Sequence, residues 1–524
     1  MTPLSLRISR SSGEQAGRWI LLALIAAAVC RLWLSPLHSS LWLDETATYW
    51  GIQGGAADFS RRISMFPQAT HLYMYVISTV VQLAGPGELV LRIPSVVAMG
   101  LASVFLYLLA ARLIDREAGL LSVAVFVTLP AVAFAAADAR PYAMAVLAVV
   151  SALWALVRWM DSGRFRDGLI YVILAAATVH VHILFATTLA VHAVYAVSRL
   201  WQGTVRPRSL LAVAIAIGVL VLPMWGYVAA IVRNRRYMVF VPPPDGETLL
   251  ATLAPRVVVG SLVLALLLAS AVFRSIAFRP VPVSANGFFL LACSIMGPVG
   301  LLYLVSRFGD SSAFVARYLM AITPGMALLT GGIIRMIEPA SARRAIVAMH
   351  VIVMTHQLGG TGLRYDHSTE NWREAMATVR SITSKETQPV LFSGSFIESS
   401  DVKRLSDPKH AEYLLAPFGY YPSGSKNFIL PILFNEEARV YVERLVSSSP
   451  EIRQGFVLVE RRCGPMCFAW SVWLRDYLAP NGLVSRSRGT FGNLTVSQFE
   501  PESAHIRAEA ATDMRFGGPA RGTP

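Results

Sequence analysis

The sequence contains little charge and little cysteine. Only 15% of its 524 residues are charged, against about 25% in soluble domains, and 55% are hydrophobic. These values exclude a purely water-soluble globule. Four cysteines in a chain of this length exclude a disulfide-stapled scaffold, and 11 tryptophans with 24 phenylalanines exclude a disordered chain.

Lysine is absent from residues 1–360, which contain 27 arginines and 14 acidic residues, a net charge of +13. Residues 361–524 contain 15 arginines, 4 lysines and 18 acidic residues, a net charge of +1. A nucleic-acid binder would gather basic residues and aromatics on a soluble face. Here the arginines separate apolar runs, which is typical of loop anchors at a membrane surface, so no nucleic-acid partner is expected.

Eleven apolar runs approach the length of about 20 residues that a membrane-spanning helix needs. They are residues 19–38, 92–112, 118–137, 141–160, 168–181, 183–200, 209–230, 257–274, 287–306, 317–337 and 345–360. The run 71–84 is shorter and is expected to lie along the outer interface or to enter the membrane and return. Basic residues 7, 10 and 18 precede the first run and no cleavage site is evident, which predicts an uncleaved anchor and a cytoplasmic N-terminus at 1–18.

The positive-inside rule assigns the sides of the membrane. Five basic turns are expected in the cytoplasm: Arg112/Arg116, Arg158/Arg164/Arg166, Arg199/Arg206/Arg208, Arg274/Arg279 and Arg343/Arg344. The loops at 38–70, 138–142, 231–256 and 307–316 then face outward, and about 11 crossings place the chain after 360 outside as well. Arg233, Arg235 and Arg236 break the rule in their loop, which needs either an anionic partner or a different topology.

Residues 19–360 are therefore predicted to form a transmembrane helix bundle, residues 361–500 an extracytoplasmic α/β domain and residues 501–524 a disordered tail. Helical spacing at 370–383, 435–448 and 468–478 alternates with strand patterns at 389–394, 427–434 and 455–460. Pro431 predicts that the second of these strands lies at a sheet edge. The fold class expected is mainly α, a polytopic bundle with a C-terminal α/β domain.

Cys463 and Cys467, in CGPMC, are expected to form a disulfide, which suits an oxidising compartment. The alternatives are free thiols or a metal pair, but no second cysteine pair or nearby histidine completes a zinc site. Cys30 and Cys293 fall in apolar runs and are expected to be core residues.

Two adjacent acids, Asp44 and Glu45, follow the first run in SLWLDETATYW. The aromatic residues around them are typical of a membrane boundary. One interpretation is a solvated helix cap. The other is a base held close to a lipid-borne substrate, where loss of hydration raises the pKa of a carboxylate into a useful range.

A second outer turn, ADARPYAM, contains Asp138, Arg140 and Tyr142. Asp138 either caps the helix that Pro141 begins or belongs to a site. Arg140 lies at an outward edge, where positive charge is normally depleted. It is expected to pair with Asp138 or to hold an anionic headgroup.

A third outer segment, SRFGDSSAFVARYLMAITP, places Arg307 and Arg317 on either side of Asp310, with Tyr318 next. The planar guanidinium of arginine suits a pair of phosphate oxygens, and the alternative is snorkelling at the interface.

His180 and His182 mark the break between two apolar runs. Their spacing does not place both on one helical face, so polar groups lining a hairpin turn are favoured over metal ligands. His71 precedes the short outer run; it either faces a substrate or is a structural residue.

At these residues the sequence resembles the GT-C superfamily of membrane glycosyltransferases, in its protein O-mannosyltransferase and lipid A aminoarabinose transferase-like branch. The matching segments are LWLDETATYW, LRIPSVVAMGLASVFLYLLAARL, ADARPYAM and VARYLMAITPG. NWREAM also resembles the start of the outer domain in bacterial members. The similarity spans nearly all of residues 19–385.

The resemblance implies an inverting transferase that moves sugar from a polyprenyl phosphate to a hydroxyl of a glycan, lipid or protein outside the bacterial cytoplasmic membrane. Asp44 matches the catalytic base and Glu45 its acidic neighbour, while Asp138 and Arg140 match the second outer loop. Arg317 matches the late basic position associated with the donor phosphate. Members commonly show His-Pro-Pro-Leu where this chain has ATHLY, so His71 keeps only part of that pattern.

The chemistry agrees with this residue inventory. A lipid phosphate leaves as an anion without a general acid, so the reaction needs one carboxylate to take the acceptor's proton and fixed positive charge at the phosphate. A divalent ion would share the second task, although no ligand set in the sequence requires one. The rival functions are a transporter or flippase of lipid-linked sugars, which would favour internal repeats and ionisable residues at mid-membrane, and a non-catalytic envelope-assembly subunit.

Overall fold

The computed structural model describes residues 4–54, 56–65, 71–233, 241–362, 366–386 and 388–502. The chain divides into two compact units. The first contains Met1–His38 and Gly54–His367, and the second contains Ser39–Gln53 and Ser368–Pro524. The predicted tail at 501–524 lies almost wholly outside the described residues, as do Arg235 and Arg236.

Residues up to 362 form helices with one very short strand pair. The helices are α1 (Leu4–Val29), α2 (Leu43–Ile52), α3 (Ala56–Met65), α4 (His71–Ala84), α5 (Glu88–Leu113), α6 (Arg116–Val127), α7 (Pro130–Ala136), α8 (Tyr142–Ser162), α9 (Phe165–Val181), α10 (Thr187–Trp201), α11 (Pro207–Val221), α12 (Trp225–Arg233), α13 (Gly246–Leu253), α14 (Arg256–Val272), α15 (Ala285–Phe308), α16 (Thr323–Arg335) and α17 (Ala340–Gly359). Strands β1 (Ala277–Phe278) and β2 (Ile337–Glu338) are antiparallel. Helix α2 belongs to the second unit.

Seven helices among the described residues are long and apolar enough to cross a membrane, and two bent pairs raise the number to nine. Each of the eleven predicted apolar runs coincides with a helix or a bent pair. Two of the predicted runs lie in helices outside those nine. Helix α9 has only 17 residues, and α17 contains buried Arg343 and Arg344 in its first two turns. The short run 71–84 is helix α4, of 14 residues.

The bend of 72° between α6 and α7 follows from proline. Pro130 has no N–H to donate and begins α7, while Leu129 before it is extended, with φ −63° and ψ 130°. The hydroxyl of Thr128 donates to the carbonyl of Val125 at 2.9 Å, which satisfies one carbonyl at the end of α6. The run 118–137 is therefore a broken helix rather than one straight span.

The basic turns predicted on one side of the membrane are joined to one another. Asp161, in the last turn of α8, pairs with Arg112 at 2.9 Å and with Arg199 at 3.3 Å. Arg335, at the end of α16, pairs with Asp115 before α6 at 2.7 Å. The ends of α5, α8 and α10 therefore meet, as do the end of α16 and the start of α6.

Two further contacts connect the segment around the start of α15 to neighbouring turns. Gln202 and Asn286 exchange two amide hydrogen bonds of 2.7 Å. Strands β1 and β2 pair the segment before α15 with the segment before α17. Several of the turns predicted as cytoplasmic are thus connected to one another through polar contacts.

Glu117 neutralises two arginines at this end of the first unit, and we expect Glu117→Gln to lower the free energy of unfolding by about 2 kcal/mol. Its carboxylate contacts Arg343, and Arg344 at 3.0 Å, and the side chains of both arginines are less than a tenth exposed. Gln would leave these two buried guanidinium groups without the negative charge of that carboxylate. Thermal unfolding of the detergent-solubilised protein measures the change.

The control is Glu247→Gln, since Glu247 and its partner Arg256 are 76% and 80% exposed. Exposed ion pairs contribute little to stability, so the midpoint should stay at the wild-type value. Equal effects of the two substitutions would contradict the importance of the buried cluster.

The second unit is an α/β fold that contains α2 and residues from 368 onward. Its other elements are α18 (Trp372–Glu386), β3 (Val390–Ser393), α19 (Val402–Leu405), α20 (Pro408–Leu414), α21 (Ala416–Tyr420), β4 (Asn427–Ile429), α22 (Glu436–Ser448), α23 (Pro450–Gln454), β5 (Phe456–Arg461), α24 (Trp470–Leu478), β6 (Leu483–Phe491) and β7 (Leu494–Pro501). The sheet order is β4-β3-β5-β7-β6. Strands β4, β3 and β5 are parallel, and β7 is antiparallel to both of its neighbours.

Most predicted elements of this unit are present, including the edge position of β4. The strand predicted over 427–434 is too long, because β4 ends at Ile429, two residues before Pro431. The hairpin of β6 and β7 was not predicted from the sequence. Its turn depends on Gly492, whose φ of 68° suits a tight hairpin, and a Cβ there would lie 1.6 Å from the carbonyl oxygen of Thr369.

Candidate functional site

Three segments of the first unit meet at His182. Arg140 and Arg317 lie close enough for both guanidinium charges to act on its imidazole. The rings of Tyr142 and Tyr318 lie 5.5 Å and 5.6 Å from the ring of His182, and the Arg317 guanidinium lies 5.5 Å from the Tyr318 ring. We call Arg140, His182 and Arg317, with the two tyrosines, the arginine cluster.

Local backbone structure explains how each member reaches the cluster. Helix α9 ends at Val181 because His182 is extended, with φ −159° and ψ 115°, before a 3₁₀ turn at Ile183–Ala186. Arg140 lies in the turn between α7 and α8. Arg317 immediately precedes the 3₁₀ turn Tyr318–Ile322. All three therefore lie at breaks between helices, where side chains are not committed to helix packing.

His182 is 2% exposed, and its Nδ1 has no hydrogen-bond partner among the described residues. Burial, together with the positive charges of Arg140 and Arg317, lowers the pKa of His182 to about 3. The imidazole is therefore neutral at pH 7. The cluster combines two permanent positive charges with an uncharged ring, which favours an anionic ligand.

Asp138 is fully buried and is not a helix cap, because the start of α8 has no side-chain cap. Its carboxylate lies 3.4 Å from Nε2 of His367, and the hydroxyl of Ser95 donates to its carbonyl at 2.6 Å. Phe134 stacks on His367 at a centroid distance of 4.3 Å. A carboxylate and an imidazole are also ligand types that divalent ions accept.

His71 and His180 lie in a separate polar contact of the first unit. Nε2 of His71 is 2.7 Å from the hydroxyl of Tyr227, and His180 Nε2 is 2.9 Å from the carbonyl of Leu220. His180 therefore points to a different set of partners from His182, as the spacing predicted. Arg307 and Asp310 are exposed, and of the third predicted segment the arginine cluster contains Arg317 and Tyr318.

Asp44 and Glu45 occupy the first turn of α2 in the second unit. Glu45 is fully buried, and its carboxylate accepts a hydrogen bond of 3.1 Å from the N–H of Trp42. Glu45 thus fixes the start of the helix, but in a buried rather than a solvated position. Asp44 is half-buried.

Glu370 holds this helix within the second unit. One carboxylate oxygen accepts from the N–H of Leu43 and from Nε1 of Trp372, both at 2.8 Å. The other accepts from Nε of Arg461 at 2.7 Å. Glu370 is not among the predicted site residues, although it directly precedes the NWREAM segment. The domain boundary at 360 also differs from the structure, because residues 39–53 pack with the second unit.

The pKa of Glu398, a residue close enough to Asp44 to feel its charge, is raised. Loss of hydration raises the pKa of the Glu398 carboxyl, and the negative charge of Asp44 raises it further. A carboxyl group whose pKa is higher in the folded than in the unfolded protein favours folding while it is protonated. This contribution to stability is fully present below the pKa of glutamate in the unfolded chain, and it is lost as pH rises through the pKa in the folded protein.

We therefore expect Glu398→Gln to stabilise the protein at neutral pH relative to wild type and to have little effect at acid pH. Glutamine resembles the protonated carboxyl and carries no ionisation cost. Thermal midpoints measured from pH 4 to pH 8 test this, with exposed Glu374→Gln as the control. If the thermal midpoints of Glu398→Gln and wild type differed by the same amount at every pH, the raised pKa of Glu398 would be contradicted.

Cys463 and Cys467 form a disulfide in the second unit. Cys30 is exposed and Cys293 is partly buried, so the expectation that both are core residues is wrong for Cys30. Apolar composition predicts membrane insertion, but it does not separate the lipid-facing side of a helix from its core side.

The first unit is thus a bundle of apolar helices with the arginine cluster at helix breaks, and the second is a small α/β unit. Comparisons with known proteins identify a similar family and similar folds. Residues 69–227 match the family described as dolichyl-phosphate-mannose-protein mannosyltransferase. This segment includes His71, Asp138, Arg140, Tyr142 and His182.

The fold is similar to that of ArnT from Cupriavidus metallidurans bound to undecaprenyl phosphate, with a TM-score of 0.54 and 12% identity, covering 92% of this chain and 98% of that chain. ArnT in the apo state gives a TM-score of 0.52 and 13% identity, with the same coverage. No curated protein sequence matches significantly. The fold class and the resemblance to the protein O-mannosyltransferase and ArnT-like branch are confirmed, and the chain is a multi-pass membrane protein.

Proposed function

We propose that the chain is an inverting glycosyltransferase that moves a sugar from a polyprenyl-phosphate donor to a hydroxyl acceptor on the outer face of a bacterial cytoplasmic membrane. The family match over residues 69–227 and the ArnT-like fold support the class of reaction. The undecaprenyl phosphate bound to ArnT supports a lipid-phosphate carrier here.

The arginine cluster is the observation that carries the proposal. Arg140 and Arg317 place two guanidinium groups around a buried neutral imidazole in an apolar helix bundle. Guanidinium groups bind phosphate oxygens through two parallel N–H donors. Their charge is worth more where water is excluded, because the local dielectric is low. Tyr142 and Tyr318 frame this position with aromatic rings.

The reaction then proceeds as a single displacement. The acceptor oxygen forms a bond to the anomeric carbon of the sugar while the bond from that carbon to the phosphate oxygen breaks. The acceptor's proton passes to the carboxylate of Asp44, and polyprenyl phosphate leaves as an anion that Arg140 and Arg317 stabilise. Attack on the face opposite the leaving group inverts the anomeric configuration.

Asp44 is the proposed base because it is only half-buried, whereas Glu45 is buried and bonded to the start of its own helix. Glu45 is therefore a supporting residue that orients the first turn of α2. Asp138 supports the site from the turn that carries Arg140. His71 is retained as a substrate contact, with its ring fixed by Tyr227.

The sides of the membrane follow the charge rule. The N-terminus and the connected basic turns are proposed to be cytoplasmic, and the second unit extracytoplasmic. The disulfide between Cys463 and Cys467 supports this location, because disulfides persist in oxidising compartments.

The testing experiment supplies purified protein with synthetic polyprenyl-phosphate sugars and a membrane extract as the source of acceptor. Release of polyprenyl phosphate together with a new glycosidic product is expected. Movement of a labelled donor lipid across vesicles without a glycosidic bond would instead support a flippase. An absence of any donor consumption would favour a non-catalytic subunit.

A further inference from the structure

The second unit contains a cavity of about 500 Å³ beside its disulfide, within the usual range for small-ligand sites. Its lining includes residues of β5, β6 and β7 and of the loop that Cys463 and Cys467 close. None of these residues belongs to the arginine cluster, although Arg461 also pairs with Glu370.

The floor of this cavity follows from the register of the three strands. One face begins with Phe456 opposite Phe499, both buried in the core of the unit. The next residues on that face are Leu458 opposite Ser497, and Ser497 in turn lies opposite Ser487. Successive residues on one face are two apart. The face therefore changes from apolar to hydroxylated as it leaves the core.

The last row of this face is fully polar. Glu460 lies opposite Thr495, and its side chain is held by Ser471 at the start of α24. The Ser471 hydroxyl donates to one carboxylate oxygen at 2.6 Å, and the Ser471 N–H donates to the other at 3.2 Å. A carboxylate fixed in this way keeps further lone pairs for a ligand's hydroxyl groups.

The walls complete a site for a ligand without net charge. Two arginines also line the cavity. The guanidinium of Arg461 is already paired with Glu370 at 2.7 Å, whereas Arg462 is exposed, so its charge opposes that of Glu460. Partly buried Phe468 adds an aromatic residue to the lining. An anion would meet Glu460 and a cation would meet Arg462. Hydroxyls, one carboxylate, one guanidinium that is not already paired with Glu370 and one aromatic residue match the alternating polar edges and apolar faces of sugar rings.

We propose that this cavity binds uncharged saccharide units, as a glycan site separate from the sugar-transfer chemistry. The inference does not depend on the proposed transferase activity, because it rests on the lining of the second unit alone. A saccharide should occupy the hydroxylated floor, with its hydroxyl groups on Glu460, Thr495 and Ser497.

The experiment uses the full-length protein in lipid nanodiscs, without any donor lipid. Calorimetric titrations are made with three neutral trisaccharides (mannotriose, maltotriose and chitotriose) and with anionic trigalacturonate. At least one neutral trisaccharide is expected to bind, and trigalacturonate is expected to bind more weakly. Failure of all the neutral sugars, or preference for trigalacturonate, would overturn the proposal.

Two variants test the position of the site. Ser487→Trp fills the cavity and should weaken binding of the neutral sugar at least about tenfold, whereas Ser447→Trp, at an exposed position of α22, should not. Ser497→Ala removes one floor hydroxyl without adding volume and should weaken binding measurably. Hydrogen exchange over residues 483–499 verifies that each variant is folded. Unchanged affinity in folded Ser487→Trp and Ser497→Ala would refute the site.

Discussion

Asp44→Asn is expected to lower the rate of sugar transfer by about three orders of magnitude, within the range that a general base contributes. Asparagine has nearly the same shape but cannot accept the acceptor's proton at neutral pH. Because Asp44 is half-buried in the first turn of α2, the substitution should leave folding and membrane insertion intact. The measurement is single-turnover release of polyprenyl phosphate.

The matched control is Asp58→Asn, an aspartate in the first turn of α3 that pairs with Arg61 at 3.0 Å near the surface. Its effect on transfer should be small, because exposed pairs contribute little. Wild-type turnover in Asp44→Asn would remove Asp44 from the mechanism and leave the identity of the base open.

Arg317→Met is expected to reduce kcat/KM for the donor by about a hundredfold, the lower end of the loss seen when one transition-state donor is removed. Arg140→Met should act in the same direction, because both guanidinium groups belong to the arginine cluster. Lysine at position 317 should restore only part of the activity, since it returns the charge but not the paired donors.

The control for both substitutions is Arg307→Met. Arg307 is an exposed arginine at the end of α15 and lies outside the cluster. A loss in Arg307→Met equal to that in Arg317→Met would indicate a general effect of surface charge. A variant Arg317→Met with normal kcat/KM for the donor would show that the cluster does not hold the phosphate.

The membrane helices could be predicted from the sequence because long apolar runs have few alternative structures. The bend at Pro130 was not predicted, since residues 118–137 are apolar on both sides of the proline and were interpreted as one run. The strands β3 and β5 were also predictable, being short apolar runs next to polar turns. The β6–β7 hairpin was not, because its alternating Ser and Arg residues give a weak strand pattern.

The site could be predicted only in part. Arg140 was recognisable because arginine is unusual at outward membrane edges, and Arg317 because its planar guanidinium suits phosphate oxygens. His182 was noticed only as part of a hairpin turn, since no local pattern reveals which distant residues an extended backbone brings together. The partnership of Glu370 with Leu43 joins residues more than 300 positions apart, and nothing in either segment points to the other.

Because Glu370 is bonded to Leu43, helix α2 depends on residues that follow the last apolar helix. Truncation after residue 360 would preserve every apolar helix and also the sequence of α2. It would nevertheless remove the carboxylate that accepts from Leu43, the tyrosine hydroxyl of Tyr421 that accepts from the N–H of Leu41 at 2.8 Å, and the Tyr413 ring beside Trp50. The short acidic helix would then lose its anchoring scaffold, so the hydrophobic portion alone should not constitute a minimal enzyme.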